Sequence, residues 1–293
     1  MAKDKLINQE SMVTLAAIQF DPQFGQKEEN VKRTIELICK VADQGANVIT
    51  LPELCNTGYV FNTREECFSL MEKVPEGPTT QAWMEIAKER GVYISGGLGE
   101  MGEDGKAYNS CVLVGPDGFI GKHRKLHLWE DDKVFFEPGD LGHQVFQTPI
   151  GRIGMLICND MWYFESFRLL ALMGADVVLC PTNWVVEIDG PAKTLGPQLC
   201  MTNAGCNNMF VVAADRVGIE RGCEFPGMSC IVGTDGWYRA GPASEDKEEV
   251  LVATVNLMAA RRLHMNNMNV VFRDRRTDLY DEMLGSGLKS LPR

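Results

Sequence analysis

Two stretches of this chain follow one pattern: Gly45-Ala46-Asn47-Val48-Ile49-Thr50-Leu51-Pro52-Glu53 and Gly174-Ala175-Asp176-Val177-Val178-Leu179-Cys180-Pro181-Thr182, each after a run of helical periodicity. A glycine suited to a helix C-terminus, a short apolar run of strand length and a closing proline make a helix–Gly–strand–Pro unit, used twice. Loops from helix to strand often open on such a glycine, so independent units would look alike. Either way the chain alternates helices with buried strands, which places it in the α/β class.

Apolar patterning predicts strands over Val13–Phe20, Asn47–Leu51, Val92–Leu98, Tyr108–Val114, Phe119–Lys122, Gln144–Gln147, Ile153–Ile157, Val177–Cys180, Met209–Ala213, Met228–Val232 and Leu251–Val255. Long helices fit Lys27–Ala42, Thr79–Glu89, Tyr163–Met173 and Lys193–Asn207. Strands separated by helices suggest mostly parallel pairing. Tyr108–Val114 and Phe119–Lys122, joined through Gly115-Pro116-Asp117-Gly118, read as a hairpin. Pattern alone stops at mixed α/β.

A length of 293 residues suits one large α/β domain or two smaller ones. No Pro/Gly/Ser-rich spacer divides it, and Ser244-Glu245-Asp246-Lys247-Glu248-Glu249 is short enough for a solvated loop, so a single domain over 1–293 is expected. The net charge of −11 argues against a nucleic-acid partner, which requires a basic footprint. No apolar run reaches the roughly 18 residues of a membrane span, and Met1-Ala2-Lys3-Asp4-Lys5 leads into no signal-like segment. A cytoplasmic protein is expected. The ten cysteines are scattered, and Cys39, Cys111 and Cys180 lie within apolar runs, as reduced core thiols do. No Cys-x-x-Cys pair occurs, and His123, His127, His143 and His264 form no zinc-like pattern, so no metal is expected. The glycines form neither a Walker loop nor a dinucleotide fingerprint, so no cofactor is expected either.

The chemistry-bearing signal is Ile153-Gly154-Met155-Leu156-Ile157-Cys158-Asn159-Asp160, a strand-like run ending on a thiol, followed by an amphipathic helix. A nucleophile at a strand-to-helix turn is lifted out of its sheet, and a main-chain N–H there can bind an oxyanion. A lone cysteine in that setting is as readily a small core hydrophobe. Two further polar residues also close strand-like runs: Glu53 after Asn47–Pro52 and Lys125 after Phe119–Arg124. In α/β sheets the ligand crevice lies beyond the carboxyl ends of strands, where residues distant in sequence converge.

On Glu53 in Leu51-Pro52-Glu53-Leu54, Lys125 in Arg124-Lys125-Leu126-His127 and Cys158 in Ile157-Cys158-Asn159-Asp160, the chain resembles the carbon–nitrogen hydrolases of the nitrilase superfamily. The order and spacing agree with the family's Glu–Lys–Cys triad, and the likeness runs from Ala17-Ile18-Gln19-Phe20 to Gly227-Met228-Ser229 and Asp235-Gly236. It implies a four-layer α-β-β-α sandwich and a thioester mechanism. Cys158 would attack, Glu53 would act as base, and Lys125, with the main-chain N–H of Asn159, would hold the oxyanion. Lys122 and Arg124 read as structural. The family's second glutamate before a Pro-Gly falls on Asp132, one methylene shorter, with Glu130 as its alternative. Pro181-Thr182-Asn183-Trp184 resembles the substrate-pocket segment, Asn183 being able to bond an amide and Trp184 to form a wall with Tyr59 and Trp129. The resemblance also implies a homodimer or larger homo-oligomer in which a tail over about 265–293 contributes, with Leu279-Tyr280-Asp281-Glu282-Met283-Leu284 as apolar anchors.

The leading expectation is hydrolysis of a small carboxamide with release of ammonia. Asn159-Asp160 after the nucleophile is similar to carbamoyl-amino-acid hydrolases, whereas Pro181-Thr182-Asn183-Trp184 looks more like the amidases. A carbamoyl amino acid needs a cationic grip on its carboxylate. None lies in Val177–Glu187, leaving Arg168, Arg216 or Arg221 to reach in from elsewhere. A nitrile substrate and a catalytically silent assembly protein are the further alternatives. A papain-like Cys–His enzyme lacks any histidine in the required context.

Overall fold

The computed structural model describes residues 12–186 and 194–279, and the chain divides into two compact units at Arg261/Arg262. The first unit holds two six-stranded sheets. In spatial order one runs β14 (Glu249–Asn256), β1 (Met12–Gln19), β2 (Val48–Thr50), β3 (Tyr93–Met101), β4 (Ala107–Gly115), β5 (Gly118–Arg124). The other runs β13 (Tyr238–Ala240), β12 (Cys230–Val232), β9 (Phe210–Ala214), β8 (Val177–Pro181), β7 (Gly151–Met155), β6 (Val145–Thr148). A separate ribbon pairs β10 (Val217–Glu220) with β11 (Cys223–Pro226).

The sheets pack face to face, β1 against β9 and β3 against β8. Sulfur contacts cross the interface, Met155 Sδ lying 3.4 Å from Ser95 Oγ and 3.7 Å from Cys111 Sγ. Helices α1 (Lys27–Ala42) and α3 (Pro78–Arg90) cover the first sheet; α5 (Phe164–Leu172) and α6 (Gly196–Asn207) cover the second. Trp83 of α3 is fully buried against Ile38, Ile49 and Ile94, and its indole N–H donates to Thr34 Oγ1 of α1 at 2.9 Å. The result is the four-layer α-β-β-α sandwich.

The two echoing segments fold alike atom for atom. After α1, Gly45 N–H donates to Ala42 O and Ala46 N–H to Val41 O; after α5, Gly174 donates to Ala171 O and Ala175 to Leu170 O. Gly45 and Gly174 both adopt the left-handed conformation, φ 88° and 90°, that this helix ending requires. The next side chain then ties down the neighbouring parallel strand: Asn47 Oδ1 accepts from Thr14 N–H and Asp176 Oδ2 from Arg152 N–H. β2 and β8 thereby become the middle strands of matching parallel triplets, β1-β2-β3 and β7-β8-β9.

Among the described strands of the two sheets, parallel pairing is confined to those triplets. Every other pairing within the two six-stranded sheets is antiparallel, including the expected β4–β5 hairpin, so the mostly parallel expectation is corrected. Central strands such as β2 and β8 are buried on both faces, and a continuous apolar run carries no mark of its partner's direction. The short elements β10, β11, β13, α2 (Arg64–Leu70) and α4 (Asp132–Phe135) escape the sequence pattern. The helix expected from Lys193 is described only from Gly196, with Pro197 in its first turn, where a missing N–H costs nothing.

In the second unit the described residues form a small turn structure, Val271 N–H donating to Leu263 O at 3.1 Å and Asp274 Oδ2 accepting from Val270 N–H at 2.8 Å. Of the apolar anchors expected in the tail, Leu279 is exposed and Tyr280–Leu284 lie outside the described residues, as does the Met1–Lys5 start.

Candidate active site

Glu53, Lys125 and Cys158 follow the C-terminal ends of β2, β5 and β7, and all three are buried. Lys125 Nζ lies 2.7 Å from Glu53 Oε1 and 2.6 Å from Asp132 Oδ2. Asn109 Nδ2 of β4 donates to the same Glu53 Oε1 at 2.7 Å, while Glu53 Oε2 is buried with no hydrogen-bond partner among the described residues. The carboxylate is therefore held by one oxygen and open at the other.

Cys158 departs from the strand in a left-handed conformation, φ 43°, and a 3₁₀ turn over Cys158–Trp162 leads to α5. Such a backbone costs a non-glycine residue ~1–3 kcal/mol and persists only where its surroundings impose it. The expected strand-to-helix turn is thus present, tighter than a direct passage into helix. Burial, reinforced by the charge of Glu53, raises the Cys158 thiol well above its usual range, against the opposing pull of Lys125 and the main-chain N–H of Asn183. At rest it carries its proton and needs a base.

Burial also raises the Glu53 carboxyl above the ordinary carboxylate range, opposed by the ammonium of Lys125. Burial works against charge on Lys125 too, but Asp132 and then Glu53 outweigh it and hold the ammonium protonated. The arrangement is an ammonium held charged between the carboxyl groups of Glu53 and Asp132, beside a neutral thiol.

Asp132, at the first position of α4, reaches Lys125 and accepts from Trp129 N–H at 3.2 Å, whereas Glu130 is exposed. Burial, and after it the negative charges of Asp132 and Glu53, raise the Tyr59 phenol well above its usual range and keep it neutral. Tyr59, Phe61, Trp129, Asp132, Val185 and Cys223 are among the residues that line a cavity of 160 Å³, well below the roughly 300–1,000 Å³ of drug-sized sites. The Trp129 indole N–H is buried without a partner. A larger polar cavity of 710 Å³, bounded by Glu100, Lys122, Arg124 and Asp140, holds none of the expected site residues. There Lys122 and Arg124 pair with the buried Glu100.

The remaining expected residues divide. Asn183 donates its amide to Glu53 O at 2.9 Å, and its Oδ1 is buried without a partner. Asn159 Nδ2 is engaged with His127 O at 3.1 Å and Leu128 O at 3.4 Å, which ties the side chain to the segment after Lys125. Trp184 is buried against the start of α6, where a Cβ on Gly196 would meet its indole at 2.2 Å, and it does not line the cavity. Sequence reasoning missed Asn109, Asp160 and Glu220. Glu220 Oε1 accepts from the N–H groups of Tyr59 and Val60 at 2.7 and 2.6 Å and so fixes the loop that carries Tyr59. Two acceptors aimed at main-chain N–H groups leave no spacing signature by which sequence could have found them.

A family model described as carbon-nitrogen hydrolase matches residues 14–265. The chain is similar to a protein named nitrilase from Pyrococcus abyssi, 44% identical over 92% of this chain and 99% of that one. It is also similar to an N-carbamoylputrescine amidase of Solanum lycopersicum, 35% identical over 93% and 95% of the two chains. Among solved structures, a carbon–nitrogen hydrolase from Helicobacter pylori G27 superposes with a TM-score of 0.83 at 26% identity, over 94% of this chain and 99% of that chain.

Proposed function

This chain belongs to the carbon–nitrogen hydrolase family, an enzyme family acting on non-peptide C–N bonds, and from that premise we propose a cofactor-independent cysteine amidase for small carboxamides. One observation carries the reading: Glu53 is anchored through Oε1 by Lys125 and Asn109, while Oε2 is buried and unpartnered. That oxygen takes the Cys158 proton as Sγ attacks the carbonyl carbon. The charge developing on the substrate oxygen is met by the Lys125 ammonium and the Asn159 main-chain N–H. Glu53 then passes its proton to the departing nitrogen, ammonia leaves, and a thioester remains on Cys158. Water deprotonated by Glu53 cleaves the thioester, releasing the carboxylic acid and restoring the thiol.

Asp132 keeps Lys125 charged and placed, in the role of the family's second glutamate. The small cavity walled by Tyr59, Trp129 and Asp132 does not have Glu53, Lys125 or Cys158 in its lining, but it adjoins the triad through the Asp132–Lys125 pair and would suit a compact acyl group. The main-chain N–H of Asn183 faces Cys158 Sγ, and its unpartnered Oδ1 offers an acceptor for an amide N–H.

The names of the relatives favour two neighbouring readings, a nitrile for the 44% identical protein and an N-carbamoyl amine for the 35% identical one. Amide hydrolysis needs the proton relay described above and no more. A panel of short amides, dicarboxylic monoamides, N-carbamoyl compounds and aliphatic nitriles, followed by ammonia release, tests the choice. A nitrile with kcat/KM above every amide and carbamoyl compound would overturn it. Cys158→Ala is expected to abolish turnover on any of them, and mass spectrometry is expected to place a trapped acyl group on Cys158.

The enzyme further acts as a homodimer or larger assembly in the cytoplasm. The turn and helix after Cys158 leave Trp162, Tyr163, Phe164, Leu169, Leu172 and Met173 exposed, an apolar face that a second copy would cover. Light scattering giving twice 32.6 kDa or more supports this, and a mass near 32.6 kDa at micromolar concentration overturns it.

A further inference from the structure

The side chain of Asp160 is fully buried where two segments that carry site residues meet. Its Oδ2 accepts from the main-chain N–H of Ile157, the residue before Cys158, at 3.0 Å, and from His123 Nε2 at 3.0 Å. Its Oδ1 accepts from the main-chain N–H groups of Leu126 and His127, the two residues after Lys125, at 3.1 and 3.0 Å, and from His127 Nδ1 at 2.8 Å. Asp160 N–H returns to Ile157 O at 2.9 Å, closing a ring that encloses Cys158 in its left-handed conformation.

We propose that Asp160 is the positioning residue of the active site: it fixes the Cys158 thiol against the Lys125 ammonium through main-chain hydrogen bonds to both segments. The proposal rests on the reading of Cys158 as nucleophile and Lys125 as oxyanion cation. A carboxylate serving only to neutralise charge would pair with lysine or arginine, and among the described residues its ion-pair partners are His123 and His127 alone. Three of its five hydrogen bonds come from the main chain, so it fixes backbone more than it balances charge. Burial disfavours its charge, yet His123 and His127 hold the carboxyl far below the usual range, so it accepts at every bond across the working pH. Asn159 Nδ2 on His127 O doubles the tie between the same two segments. His127 is steadied in turn by stacking on Tyr163, ring centroids 3.6 Å apart.

Because Asp160 is fully buried and both its carboxylate oxygens are committed to Ile157, Leu126, His127 and His123, it offers no group to substrate, and its loss is expected in kcat and not in KM. Asp160→Asn keeps the shape but turns one acceptor into a donor facing a buried N–H. In folded protein kcat per titrated active site falls about 100-fold, as a small misplacement of reacting groups would cause, with KM changed less than about threefold. The rate of Cys158 alkylation by chloroacetamide falls with it. His127→Phe keeps the stack on Tyr163 and removes one bond to Oδ1; it lowers kcat about tenfold at unchanged KM, and it decides the matter if Asp160→Asn does not fold. Wild-type kcat per titrated site in folded Asp160→Asn, or in His127→Phe where Asp160→Asn does not fold, overturns the proposal. Cys158→Ala run alongside separates the two readings. Its inactivity beside a fully active Asp160→Asn sinks the positioning role alone, and its activity sinks the nucleophile assignment beneath it.

Discussion

Asn183 donates its side-chain amide to the main-chain carbonyl of Glu53 at 2.9 Å, and Glu53 N–H donates to Thr182 O at 3.3 Å. The ends of β2 and β8, the two strands of the repeated unit, are thus laced together. One contributes the carboxylate, and the other a main-chain N–H facing Cys158. Asn183→Ala removes the side-chain half of the lace and leaves a buried carbonyl short of a donor, a loss of about 1–3 kcal/mol in stability. Because Glu53 shifts with its backbone, kcat is expected to fall at least tenfold; thermal melts and steady-state kinetics check both. A kcat within twofold of wild type would show that Glu53 holds its place unaided.

Asp132 is the largest influence raising the Lys125 ammonium, ahead of Glu53. Asp132→Asn should therefore let Lys125 lose its proton at lower pH, moving the basic limb of the kcat/KM profile downward. The maximum falls about 100- to 1000-fold as the cation loses its second anchor. An unmoved or upward-shifted basic limb would detach Asp132 from Lys125. Glu53→Gln and Lys125→Ala are expected to lower kcat by several orders of magnitude while leaving the fold intact, read by circular dichroism beside kinetics.

The three groups of the candidate site were legible because each ends a recognisable strand: Glu53 after Pro52, Lys125 after the second arm of a hairpin with a Pro-Asp-Gly turn, Cys158 after an unbroken apolar run. What holds them was not. Asn109 lies in mid-strand and Asp160 looks like one more helix-start acid, yet their partners are Glu53 Oε1 and the N–H groups of a segment more than thirty residues away. Strand direction was lost for a related reason. A strand buried on both faces shows no alternation, so only the hairpin, marked by its turn, announced an antiparallel pair. Trp184 reads equally as pocket wall or core from its type, and only the proximity of Gly196 puts it in the core.

Gly97 of β3 lies beneath the Glu53 backbone, where an added Cβ would sit 2.4 Å from Glu53 Cα and 2.6 Å from Leu54 N. Its N–H donates to Pro52 O and its carbonyl accepts from Cys55 N–H, each at 3.0 Å, so the loop rests directly on the strand. Gly97→Ala must push Glu53 outward. A destabilisation of about 1–3 kcal/mol is expected by denaturant unfolding, with a fall in kcat of about 100-fold. Wild-type kcat in this variant would mean the carboxylate tolerates displacement, contrary to its role as a placed base.

Asp215 accepts from Trp184 N–H at 2.8 Å and Thr182 Oγ1 at 3.1 Å through Oδ1, while Oδ2 is buried without a partner. Burial raises its carboxyl well above the ordinary range. A carboxyl whose pKa is raised in the folded state supports folding fully below its unfolded value, near 3.9, and loses that support as pH climbs toward the folded value. Asp215→Asn has no such proton to lose. The melting temperature of Asp215→Asn relative to wild type should therefore rise as pH climbs above about 4 and level off once the folded-state value is passed, the slope bounded by about 1.4 kcal/mol per pH unit for one group. Scanning calorimetry of both proteins across that range measures it. A difference that stays flat or narrows with pH would mean that Asp215 is ionised in the folded protein and that its second oxygen has a partner in solution.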